Sequence, residues 1–281
     1  MTIIIMIKWI ILTGLASLFL LLLVLRIWIT LKYPESKQEE EWAYNQTTGN
    51  KEIQADCVQI YKNRAGTMAV MADGIGRENT GAISARVATD AVLDAFEPYH
   101  ILENPEYLFR TAFIDAHNKV QITIGDRRGG ACMGAAFIKG KTLYYAIAGN
   151  IRIALFRNGE LIPLSKGHTM EALAREAYRE GQLSRQNTIW SLGDNQVWNY
   201  LGMDGFHDIE ISKPPVALRA GDLILMASRG IYDEVSWIEM EEILNEDMTI
   251  RDKTERMIQE TEKADTQEKE NGSILLIAAG T

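Results

Sequence analysis

Apolar residues are distributed along this chain in two regimes. From Trp9 to Leu25 they form an uncharged run, Trp-Ile-Ile-Leu-Thr-Gly-Leu-Ala-Ser-Leu-Phe-Leu-Leu-Leu-Leu-Val-Leu, flanked by Lys8 and Arg26 and prolonged by Ile3–Ile7 and Ile27–Leu31. Beyond residue 50 they come in strand-length blocks and helical stripes. Cys57–Tyr61 and Thr67–Ala72 predict a hairpin turning at Asn63-Arg-Ala-Gly66. Ile83, Val87, Ala91, Val92 and Phe96 recur at helical spacing, which predicts a helix over Thr80–Phe96. Pro105 opens a second helix reaching about Ile124, since proline suits a first turn. Strands follow at Ala135–Ile138, Leu143–Ala148 and Ile151–Phe156, the last turning at Asn158-Gly159. Met170–Glu180 reads as a helix, Asp208–Ile211 and Leu223–Ala227 as strands, Trp237–Leu244 and Ile250–Glu262 as helices, and Ser273–Ala278 as a last, fully apolar strand. Strands in runs, separated by paired helices, predict an α+β layered domain rather than alternating βαβ units.

The first regime predicts one transmembrane helix with a span of about 9–29 within an anchor of residues 1–33, because a hydrocarbon core of ~30 Å takes about 20 helical residues. Lys8 and Arg26 stand where long stems reach the interface, and Trp9 and Trp28 where aromatic anchors sit. A cleaved signal peptide would have a shorter apolar region and a small-residue cleavage site. Arg26, Lys32 and Lys37 follow the run while Lys8 stands nearly alone before it, so the positive-inside rule places a single-pass protein with its C-terminal domain in the cytoplasm. Residues 34–50 are polar and acidic and read as a tether, leaving one domain over residues 51–281.

Composition narrows the function. The 281 residues carry a net charge of −9 with no basic stripe, which excludes a nucleic-acid partner. Cys57 and Cys132 lack paired or metal-ligand spacing and read as buried small residues in a reducing compartment. His100, His117, His168 and His207 show no ligand spacing either.

Chemistry concentrates at strand ends. Thr67-Met-Ala-Val-Met-Ala-Asp73-Gly74-Ile-Gly76 is an apolar strand running into an acid-glycine turn, and Leu223-Ile-Leu-Met-Ala-Ser228-Arg229-Gly230 repeats that shape with arginine in place of the acid. The glycines after Asp73 are not spaced as a dinucleotide or Walker loop. A carboxylate there, with a backbone free to approach, suits a hard divalent cation held through oxygen.

Further segments fall in a fixed order: Lys51-Glu-Ile-Gln54-Ala55-Asp56, Gly149-Asn150-Ile-Arg152, Pro163-Leu-Ser-Lys-Gly-His168, Ala220-Gly221-Asp222 before Ser228-Arg229-Gly230, and Glu270-Asn271-Gly-Ser273. In that order they resemble the metal-dependent protein phosphatases of the PPM (type 2C) family, over nearly the whole chain after the tether. The resemblance implies a four-layer αββα sandwich, two antiparallel sheets flanked by helices. It also implies a binuclear Mg or Mn centre that activates water against phosphoserine or phosphothreonine. His168 matches a loop histidine of the family that has no metal duty, and Trp190, Trp198 and Tyr200 fall in a region that varies within it, a candidate partner surface.

Carried over by position, the implied ligand set is degraded. Asp73 remains as the bridging acid, Gly74 as a carbonyl donor and Glu270 as a residual ligand. Ala55, Asn150 and Arg229 stand where the family has acids, and Arg77 where it has glycine. A guanidinium a few ångströms from a divalent cation costs several kcal/mol at an effective dielectric of ~20, and arginine does not escape by deprotonating. The resemblance thus implies a pseudophosphatase needing no cofactor, with Arg229 pairing with Asp73 and Glu270 in the metal's place. Lys51, Arg77 and Arg152, with Arg229, are phosphate-binding candidates. The expected role is binding a phosphoprotein or Ser/Thr kinase in phosphorylation signalling at the membrane. The alternatives are an active Ser/Thr phosphatase with an atypical Mn or Mg centre, and a structural subunit of a membrane complex.

Overall fold

The computed structural model describes residues 9, 12, 14–23, 25, 42–77, 79–97, 104–193 and 196–279. The chain falls into two compact units, Met1–Glu39 and Glu40–Thr281. In the first, residues 14–23 are helical and their large side chains, Phe19 and Leu20 among them, are exposed. No helix among the described residues is long and apolar enough to cross a membrane. The expected span of about 9–29 lies partly outside those residues, as does most of the expected tether.

The second unit holds two antiparallel sheets. One has the order β1 (Trp42–Thr47), β11 (Gly272–Ala278), β10 (Leu223–Ala227), β6 (Arg152–Arg157), β7 (Glu160–Pro163). The other runs β2 (Cys57–Asn63), β3 (Gly66–Gly76), β4 (Gly129–Lys139), β5 (Thr142–Ala148), β8 (Glu210–Ile211), with β9 (Val216–Ala217) also on β5. Alternation along β3 shows how the layers form. Met68, Val70 and Ala72 face helices α1 (Thr80–Phe96) and α2 (Pro105–Ile124), where Phe96, Phe109 and Phe113 complete an outer core. Ala69 and Met71 face the other sheet and meet Ile153, Met226 and Leu275. Ala154, Leu225, Ile274 and Leu276 cover that sheet's far side against α6 (Trp237–Asn245) and α7 (Ile250–Lys263). Strands buried on both faces lose the alternating polar signal, which is why β10 and β11 read as unbroken apolar runs.

The smaller helices are α3 (Met170–Arg179), α4 (Arg185–Trp190) and α5 (Arg229–Tyr232). Start signals work as the sequence implies: Asn104 accepts from Glu106 N ahead of Pro105, and Ser236 and Glu239 close a capping box on α6.

The expected hairpin, the long helices and the strands at residues 135–156, 223–227 and 273–278 all form, with β4 extending back to Gly129. The start of the domain needs correction. Trp42–Thr47, assigned to a solvated tether, is an edge strand whose six residues pair with Gly272–Ile277 of β11. Its polar residues misled because they are used inside the fold: Asn45 Nδ2 donates to Thr254 Oγ1 at 3.0 Å and Gln46 Nε2 to Ser273 Oγ at 2.9 Å. A chain beginning at Lys51 is therefore expected to melt about 10 °C below one beginning at Glu40, the consequence of losing a few kcal/mol of strand pairing and packing. Equal melting temperatures by circular dichroism would remove β1 from the domain.

Candidate functional site

Asp73 shares the parity of Ala69 and Met71 on β3, so its side chain points between the sheets at their open end. Three other segments arrive there. The turn after β10 brings Ser228 and Arg229, the approach to β11 brings Glu270 and Asn271, and the segment before β2 brings Lys51, Ala55 and Asp56. Close approach is set by Gly230, where a Cβ would come 2.1 Å from the Asn271 carbonyl oxygen. Gly74 is packed as tightly, a Cβ there falling 2.3 Å from the Gly81 carbonyl oxygen.

The ion pairs match the expectation in part. Arg229 Nη2 lies 3.3 Å from Glu270 Oε1, and Lys51 Nζ lies 3.2 Å from Glu270 Oε2. Asp73 instead takes a hydrogen bond from the Arg229 backbone N–H, with the guanidinium acting on it through the electrostatic field. Of the two expected partners of the Arg229 side chain, Glu270 is the one it pairs with, while Asp73 is met by the residue's main chain.

The phosphate-binding set also disperses. Lys51 and Arg229 are both engaged by Glu270. Arg77 is exposed past the end of β3. Arg152 lies against Tyr232, its Cζ 3.8 Å from the ring centroid.

The centre of the site is a residue to which sequence reasoning assigned no role. Asp56 is 6% exposed, and its Oδ2 accepts from Ser228 Oγ at 2.8 Å and Ser273 Oγ at 2.6 Å. Ser228 Oγ in turn accepts from Ser273 N at 2.8 Å. Asp56 Oδ1 is buried without a hydrogen-bond partner among the described residues. The available signal was a lone acid at the start of β2 together with small hydroxyls at the facing ends of β10 and β11. Asn271 was also undervalued: its Oδ1 accepts from Ala55 N at 2.9 Å and its Nδ2 donates to Thr48 O at 3.0 Å and Ile53 O at 3.1 Å, tying the segment that holds Ala55 to β11.

Burial pushes the Asp56 carboxyl up to about 6, against the pull of its two serine donors. Burial likewise holds Asp73 well above the usual carboxylate range, reinforced by the charge of Asp56 and opposed by Arg229. Asp73 is closely surrounded by protein and keeps only part of its surface in contact with solvent.

The nearby Gly149-Asn150 turn is organised separately. Gly149 has φ +105° and a Cβ there would meet Cys132 Sγ at 2.5 Å. His168 Nδ1 accepts from Gly149 N and faces Asn199 Nδ2, both at 3.0 Å, so the ring is neutral with its proton on Nε2, 3.3 Å from Asp208 Oδ2. His168 is structural, as expected, and Trp198 packs on it edge-on. His117 Nδ1 caps Gly202 N, and His100 lies outside the described residues. Trp190 is 82% exposed.

A two-metal centre does not fit these residues. Ala55 offers no oxygen from its side chain, both oxygens of Glu270 face cations, and Arg229 adds a fixed charge. Among the described residues no group of three or more His, Cys, Asp or Glu is placed to hold a metal ion.

The two antiparallel sheets flanked by helices, with acids and glycines at one shared end, form the layered sandwich that the resemblance implies. No family model matches the chain. Protein phosphatase PhpP of Streptococcus pneumoniae is 28% identical over 210 residues, covering 72% of this chain and 83% of PhpP. The Serine/threonine phosphatase stp of Listeria monocytogenes is 25% identical over 198 residues, covering 68% and 77%. The structure of the S. agalactiae serine/threonine phosphatase superposes with a TM-score of 0.74 at 18% identity, covering 85% of this chain and 99% of that one. The chain is a homologue of the PPM-type Ser/Thr protein phosphatases and has their fold.

Asp56 gives a signed pH test. The native state takes up a proton between the ordinary 3.8 and about 6 that the unfolded chain does not, so stability falls as pH rises through that window and stays lower above it. Asp56→Asn is expected to remove this dependence and to be more stable than the parent at pH 8, by on the order of 2 kcal/mol. Urea unfolding from pH 4 to 8 reads it; a parent-minus-variant difference that does not change with pH refutes the assignment. Asn271→Ala removes the partner of the Ala55 N–H and of the Ile53 carbonyl, and one of the two donors to the Thr48 carbonyl, and is expected to cost roughly 2–3 kcal/mol in the same assay.

Proposed function

We propose that this chain is a PPM-type domain that binds in Ser/Thr phosphorylation signalling without hydrolysing phosphate, taking a phosphoprotein or a Ser/Thr kinase as its partner. Its N-terminal segment, read from the hydropathy of residues 9–29, would hold it at the cytoplasmic face of a membrane. The observation that carries the reading is the double grip of Lys51 and Arg229 on Glu270. Where the family mechanism calls for divalent ions clamping a water and a phosphoryl oxygen, this chain supplies a permanent cation. That cation neutralises an acid but neither lowers the pKa of a water nor bridges two oxygens. The relatives supply the substrate class: they are protein phosphatases, so a retained surface for phosphoproteins is the natural inheritance.

Manganese titration of the full chain by calorimetry is expected to show no binding in the micromolar range, and p-nitrophenyl phosphate with manganese no turnover above buffer. Ala55→Glu with Arg229→Asp is expected to bring measurable manganese binding, because it restores two acids and removes the competing charge. Manganese-dependent turnover by the unmodified chain that Asp73→Asn abolishes would establish the enzyme instead.

A further inference from the structure

Beside the ion-pair cluster, a cavity of about 600 Å³ opens between α3 and the β6–β7 hairpin, a volume ordinary for a small-ligand site. Its lining has an unusual charge balance for a chain of net −9. Four cations, Arg152, Lys166, Arg175 and Arg179, face it with two acids, Glu171 and Glu176, an excess of two positive charges. Both acids are already used: Glu171 pairs with Arg175 at 2.6 Å and Glu176 with Lys166 at 2.9 Å. The close ion pairs at this cavity are made by Lys166 and Arg175, while Glu171 and Asp233 act on Arg152, and Glu176 on Arg179, only through the electrostatic field. Arg152 is also held in place: its guanidinium lies over Tyr232, whose hydroxyl donates to the Asn150 carbonyl at 2.9 Å. An aromatic face orients a guanidinium while leaving its N–H edge free to grip an oxyanion. Leu164 and Trp237 supply apolar wall for the body of a ligand. In the same wall Asn150 keeps a buried amide oxygen without a hydrogen-bond partner, so its polar groups are incompletely satisfied.

We propose that this cavity is a phosphate-monoester site, in which Arg152 and Arg179 hold a dianionic phosphate. The two-charge excess matches a phosphate monoester near neutral pH, and a guanidinium presents two N–H groups on one edge to phosphate oxygens. The inference deepens the binding role proposed above and moves it: the phosphate is read in the α3 cavity, with the Lys51–Glu270–Arg229 cluster left as a structural closure. Two sources present this chemistry, a phosphorylated side chain of a partner protein and a free phosphorylated small molecule.

Calorimetry on the full chain tests it with three probes: a phosphoserine pentapeptide, its unphosphorylated twin and adenosine monophosphate. Binding is expected for at least one phosphorylated probe and absent for the twin, weakening as salt rises. Arg152→Ala and Arg179→Ala are each expected to weaken it at least about tenfold. Arg152→Lys retains part of the affinity, since it keeps the charge and loses the fork. Arg179 is exposed, so its replacement does not threaten the fold. Preference for the peptide identifies a protein source and preference for the nucleotide a free one. Absence of binding by both phosphorylated probes overturns the site. So does a loss of affinity in Lys51→Ala that Arg152→Ala and Arg179→Ala do not share, which would return the phosphate to the old cleft and leave the binding role standing. Manganese-dependent turnover, by contrast, strikes at the binding role alone.

Discussion

Two acids buried where the sheets open, Asp56 and Asp73, set the terms for everything around them. Carboxylates taken out of water must be neutralised, hydrogen-bonded or protonated. Each strand end that converges here contributes to one of those solutions. Ser228 and Ser273 donate to a single oxygen of Asp56, the Arg229 main chain donates to Asp73, and the Arg229 guanidinium brings positive charge near both. Ser228 directly follows β10 and Ser273 stands on β11, while Asp56 leads into β2, so the same hydrogen bonds that stabilise the acid join one sheet to the other.

A fixed cation and a metal ion solve this problem differently. A divalent ion collects several carboxylates at short range and keeps open positions for water and substrate. Arginine carries one charge on a planar fork and is satisfied by one partner, here Glu270, which Lys51 also holds. Exposed pairs of this kind contribute little stability. Their importance is occupancy: the ligand oxygens of the family are spent within the protein. Arg152 and Arg179, two cations not spent this way, line the neighbouring cavity.

Elements whose burial leaves a periodic trace were legible along the chain. The helices α1 and α2 carry it, while the hairpin of β2 and β3 is marked by its turn and β10 and β11 by unbroken apolar runs. Trp42–Thr47 left no such trace, because an edge strand that hydrogen-bonds through Asn45 and Gln46 has the composition of a linker. The degraded ligand set was legible too, since Ala55, Asn150 and Arg229 are visible as residue types at motif positions. Which acid Arg229 pairs with was not, because Asp73 and Glu270 are both within reach of a long side chain and only the placement of β11 chooses between them. Asp56 escaped notice for a similar reason: its partners are 172 and 217 residues away.

The amino-acid order by itself determined the layered α+β architecture, the family likeness and the loss of acids at the strand ends, since periodicity and residue identity are local properties. Tertiary structure alone decided how the remaining charges are partnered. Four segments distant in sequence meet at one end of two sheets, and the distances set there, a few ångströms either way, determine whether an acid faces an arginine, a serine or another acid. The same packing placed Arg152 on Tyr232 and brought it to a cavity shared with Lys166, Arg175 and Arg179, a grouping that residue order does not show.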